Sequence, residues 1–149
     1  MSDKRFKKYF TNQKYPIPEY DPQTGERNAL YDIVMNTNVI VKLSVDGLHN
    51  WPDAKKVFPE VGFLSDIHRH MFHFTAKKRV NHDDRDVEFI MFKRDIEEYL
   101  HDRYWKQEYR SHFFGPKSCE MLAREILEYF DCEYVSVFED DENGAECYV

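Results

Sequence analysis

Cysteine is scarce in this sequence. Cys119, Cys132 and Cys147 are an odd number with no C-x-x-C spacing, which argues against both a disulfide framework and a thiolate zinc finger. Reduced thiols in a cytoplasmic protein are the expectation. Long apolar runs are missing as well. No stretch approaches the ~20 apolar residues of a membrane span, and the opening MSDKRFKKYF has no apolar segment behind its basic residues, so neither a span nor a secretory signal is expected. Positive charge is in deficit: 21 Lys and Arg against 28 Asp and Glu leave a net charge of −7. That charge repels a phosphate backbone and sets nucleic-acid binding aside. The run Lys77-Lys78-Arg79 is the local exception, and it reads as a solvated strand end, with small-anion binding left open.

Apolar and aromatic residues are plentiful, at 42% and 16% of 149 residues, which suits one domain with a core of its own. Residues 1–37 read differently from the rest. Pro16, Pro18 and Pro22 interrupt any regular element, while Phe6, Tyr9, Phe10, Tyr15 and Tyr20 supply aromatic surface, so this stretch is expected to be an extended arm. A folded domain is expected over 38–149.

Within that domain Val39, Val41, Leu43 and Val45 alternate as in a half-buried strand, which delivers Asp46-Gly47-Leu48-His49 at its end. A second period-two stretch, 63–76, puts His68, His70, Phe72 and Phe74 on one face. Residues 81–85 read as a turn and 86–89 as a short strand. Phe92, Ile96, Tyr99 and Leu100 have helical spacing. A second helix opens at Ser118, whose hydroxyl can cap it, and carries Leu122, Ile126 and Phe130 on one face. Residues 134–138 make a last strand. The class is therefore α+β: a four-stranded, mostly antiparallel sheet with two helices on one face.

The histidines carry the chemistry. On a strand His68 and His70 point to the same side, so both imidazoles can reach one ion. With seven His in the chain, roughly one third of an H-x-H pair is expected by chance, so the pair alone decides nothing. His49 is the candidate third ligand, because a hairpin-like return brings the start of the second strand beside the end of the first. Three imidazoles leave one tetrahedral position open, which is the composition of a catalytic zinc site.

Several segments, taken in order, resemble the 6-pyruvoyl- and 6-carboxy-tetrahydropterin synthases of the tunnelling fold. These are residues 43–52 (LSVDGLHNWP), His68-Arg69-His70-Met71-Phe72, Asp86-Val87-Glu88-Phe89, residues 115–123 (GPKSCEMLA), and Val137-Phe138-Glu139 with Gly144 beyond it. The resemblance covers about 38–149. It implies a Zn2+ ion on His49, His68 and His70, Glu139 as the anchor of a pterin-like substrate, and a homo-oligomer, trimer or hexamer.

The resemblance also has gaps. The family's catalytic cysteine falls at Leu64, and its Asp-His pair at Ser111-His112. The base is thus open among His112, Asp66 and Glu60. Two readings follow: a zinc-dependent lyase on dihydroneopterin triphosphate or a related pterin with an altered proton relay, or a pterin- or purine-binding or regulatory module that has lost the original chemistry.

Overall fold

The computed structural model describes residues 36–149. The expected N-terminal arm lies almost wholly outside the described residues. Two long strands, β1 (Thr37–His49) and β2 (His68–Val80), pair antiparallel along their whole length, from Thr37 opposite Val80 to His49 opposite His68. The segment between them carries a single-turn helix α1 (Ala54–Val57) and a 3-10 segment, Pro59–Ser65. Then come α2 (Phe89–Tyr104), β3 (Trp105–Lys106), β4 (Ser111–Gly115), α3 (Cys119–Phe130), β5 (Tyr134–Glu139) and β6 (Asn143–Tyr148).

The class is α+β as expected, but the sheet is mixed and has six strands rather than four, in the order β3-β4-β1-β2-β5-β6. Two local causes account for β4 and β6, and β3 pairs with β4 in turn. Residues 111–115 run parallel to the end of β1, with Gly47 opposite His112. Asp140 and Asp141 both have positive φ, as the central residues of a tight hairpin turn do, and the connection 140–142 folds 143–148 back onto β5.

Three further expectations are corrected. Residues 63–65 belong to the 3-10 segment, which Pro59 opens, so β2 starts only at His68. The short strand at 86–89 reduces to one bridge at Val87, because Glu88 caps α2 by accepting hydrogen bonds from the Ile90 and Met91 N–H groups. Lys78 is not solvated but 2% exposed. Its Nζ donates to the carbonyls of Phe130 and Asp131 at 2.7 and 2.9 Å, covering the groups that a helix C-terminus leaves without partners.

Alternation sorts the sheet into two faces. Val41 and Leu43 of β1, Phe72 and Phe74 of β2, and Val135 and Val137 of β5 point into a core closed by Phe92, Ile96 and Leu100 of α2 and Leu122, Ile126 and Phe130 of α3. Each such side chain removed from water contributes about 1.5–3 kcal/mol. Ser118 caps α3 as expected, its Oγ accepting from Met121 N–H. No helix among the described residues is long and apolar enough to cross a membrane, and Cys119, Cys132 and Cys147 are free thiols.

Candidate metal centre

His49 ends β1 on the core-facing side, and His68 and His70 open β2 on the same side, because pairing His49 with His68 and Gly47 with His70 puts all three on one face. The potential ligand atoms of the three lie within 4.8 Å of one another, so the group could hold a metal ion. Phe72, the next inward residue of β2, forms an apolar floor, its ring centre 5.1 Å from that of His49. Gly47 makes room for this floor. A Cβ there would lie 2.4 Å from the Phe114 ring and 2.8 Å from that of Phe72.

Each imidazole is oriented by a hydrogen bond at Nδ1. His49 donates to the Lys117 carbonyl at 3.1 Å, His68 to the Asp66 carbonyl at 2.7 Å and His70 to the Asp140 carboxylate at 2.6 Å. An Nδ1–H so engaged leaves the Nε2 lone pair for a metal and fixes the ring's direction, the usual outer support of metal-binding histidines. The His49 Nε2 is buried and has no hydrogen-bond partner, a costly arrangement unless a cation satisfies it. Burial also holds the His49 imidazole below its ordinary pKa, which favours the neutral, metal-binding form. Position, orientation and orphaned nitrogen together fit a metal.

Local sequence explains these supports. Gly115, with φ of +60°, turns the chain after β4, and the Asn50 N–H bonds to its carbonyl at 3.0 Å, so Lys117 arrives beside His49. Asp140 follows Glu139 in the left-handed turn. Its second carboxylate oxygen accepts from the Met71 N–H at 2.9 Å, and its own N–H bonds to the Met71 carbonyl at 2.8 Å.

Glu139 stands against the cluster. Its Oε1 lies 3.2 Å from His49 Nε2 and its Oε2 lies 3.4 Å from His70 Nε2, while the Cys119 thiol donates to Oε1 at 3.6 Å. A cavity of 410 Å³ opens here, with His49, His68, Glu139, Cys119, Trp51 and Leu64 in its wall. Burial and the nearby Glu139 push the Cys119 thiol up to about 12, so at neutral pH it is a proton-bearing donor.

The three residues expected as bases are not in the cavity wall. His112 stacks on Phe114 and donates through Nδ1 to the Asp46 carbonyl at 2.9 Å, so a backbone oxygen orients it. Ser111 donates to the Asp46 carboxylate at 2.6 Å. Asp66 offers the site its carbonyl, and its carboxylate is exposed 3.9 Å from Lys55 Nζ; Glu60 is exposed in the 3-10 segment.

Sequence reasoning missed Asp140, Cys119 and the Lys117 carbonyl. Only Asp140 left a signal, as an acid beside the strand-end glutamate. No known protein-family model and no curated protein matches the chain.

Proposed function

We propose that this chain is a zinc-dependent lyase of the pterin-synthase type on a tunnelling fold, acting on dihydroneopterin triphosphate or a related pterin with an altered proton relay. The observation that carries this reading is the set of three imidazoles, each held by its own Nδ1 hydrogen bond and with potential ligand atoms within 4.8 Å of one another. Three imidazoles suit zinc. Zinc held there would supply Lewis acidity toward the hydroxyls of a substrate side chain. The cavity volume of 410 Å³ lies within the roughly 300–1,000 Å³ common for small-molecule sites. Trp51, Leu64 and Met121 give its wall the apolar surface that a flat heterocycle needs. With His112, Asp66 and Glu60 outside that wall, proton transfer falls to Glu139 or to a water that it holds.

A second reading, a pterin- or purine-binding module without turnover, is favoured by one observation: Leu64 lines the cavity where the resembling family carries its thiol. Metal analysis of the purified protein, followed by incubation with dihydroneopterin triphosphate, separates the two. Bound zinc with turnover supports the lyase; bound zinc with pterin binding and no turnover supports the module. A wild-type protein without metal, or a His68→Ala variant that keeps its metal, would overturn the zinc-dependent lyase, and absence of pterin and purine binding would overturn the module.

The same reading carries assembly as a trimer or hexamer in the cytoplasm. Val57, Phe58, Phe63 and Ile67 stand exposed in the segment beside the cavity, and Ile40 and Met71 on the sheet face turned away from the helices. Apolar surface of this kind is commonly covered by a second subunit.

A further inference from the structure

We propose that Glu139 is the fourth donor of the metal centre, its carboxylate closing the position that three imidazoles leave open, so that a ligand must displace it to reach the metal. This rests on the three-imidazole reading and goes beyond it, since that reading gives Glu139 to the substrate and to proton transfer but not to the metal.

The first support is a meeting of acceptors. With Nδ1 of His49 donating to the Lys117 carbonyl and Nδ1 of His70 donating to Asp140, each Nε2 of the neutral rings presents a lone pair. Both lone pairs meet oxygens of one carboxylate, at 3.2 and 3.4 Å, and the buried His49 Nε2 makes no hydrogen bond. Acceptor against acceptor at contact distance is unfavourable in a partly dry site, and a shared cation reverses the sign.

The second support is metric. Bonds of ~2.0–2.1 Å at tetrahedral angles put neighbouring donor atoms ~3.3 Å apart, and the two Glu139 contacts bracket that value.

The third is placement. Glu139 pairs with Phe72 in the register between β5 and β2, so it projects to the same face as His70, from a strand and not from a loop. The Cys119 thiol then holds Oε1 from behind, as the Nδ1 partners hold the imidazoles. Three neutral imidazoles and one carboxylate would leave a divalent ion with a single net positive charge, and this mixed set suits zinc and cobalt alike.

The test uses the full chain stripped of metal, titrated with Zn2+ against a chromophoric chelator and separately with Co2+ while its visible absorption is followed. Glu139→Gln is expected to weaken Zn2+ binding at least about tenfold and to alter the bound Co2+ band, with far-UV circular dichroism unchanged. Glu139→Asp, which keeps the charge but withdraws it by one methylene, is expected to fall between Glu139→Gln and wild type. His68→Ala should abolish binding. Equal Zn2+ affinity and identical Co2+ spectra in wild type, Glu139→Gln and Glu139→Asp would overturn the fourth donor and leave the three-imidazole site standing. A wild-type chain that takes up neither ion would overturn both.

Discussion

Asp140 holds His70 by a charged hydrogen bond of 2.6 Å, and the same bond keeps the Asp140 carboxyl below the usual carboxylate range. Removing such a support costs metal affinity and not fold, so Asp140→Ala should weaken Zn2+ binding by about 10–100-fold. Chelator competition measures this, and an unchanged constant would show that His70 needs no orienter. Gly47 makes the opposite prediction. A methyl group there would meet the Phe114 and Phe72 rings, so Gly47→Ala should lower stability by about 1–3 kcal/mol in urea unfolding. The three histidines were legible in the sequence because a period of two puts His68 and His70 on one face and a hairpin return supplies His49. The Lys117 carbonyl was not, since a backbone oxygen leaves no mark on residue type. Asp140 showed only as an acid beside Glu139, because it takes the left-handed turn to aim its side chain backward onto β2.

The two long helices are joined by one carboxylate. Tyr99 and Tyr104 of α2 donate their hydroxyls to Glu125 of α3 at 2.8 and 2.6 Å, and Lys117, just before α3, adds an ion pair. Burial would raise the Glu125 carboxyl, but the hydrogen bonds from Lys117, Tyr104 and Tyr99 outweigh it and hold Glu125 below its ordinary 4.5. A depressed carboxyl contributes stability that is complete above its unfolded value and is lost as acid protonates the folded form. Burial and Glu125 together raise both tyrosines above their ordinary 10.0. Their contribution is complete below pH 10 and is lost as the pH climbs beyond it. Glu125→Gln should therefore flatten the loss of stability between about pH 5 and 2, read as urea midpoints across that range. An acid limb as steep as that of wild type would mean that other carboxylates carry it. At this scale the sequence was legible where pattern and cap agree, as in α3 behind Ser118. It misled where a cap overrode a short apolar run, as Glu88 does at 86–89. Neither β4, defined by its pairing with β1, nor β6, defined by the turn before it, has a strong apolar alternation of its own to announce it.

The described residues close one mixed sheet over a core and leave the candidate metal site at the end where β1, β2 and β5 meet. A ligand that binds only the folded form adds stability by mass action, about 2.7 kcal/mol at a hundredfold excess over its dissociation constant. Zinc-loaded protein should thus melt higher than chelated protein, and the gap should vanish in His68→Ala; calorimetry reads both. Sedimentation at micromolar concentration should show a trimer or hexamer, and a monomer would remove the case for assembly through the exposed segment around Phe58 and Phe63. The α+β class was legible because long-range pairing followed local periodicity in β1 and β2. The strand count was not, because β3 pairs over only two residues and exists through its neighbour. The turn at Asp140 and Asp141 also sets an order in time. His70 and Asp140 lie 70 residues apart in sequence, so in a growing chain the His70 imidazole is made long before the carboxylate that orients it. A metal ion held by the three histidines would gain the Asp140 support of His70 only when that last hairpin docks on β2.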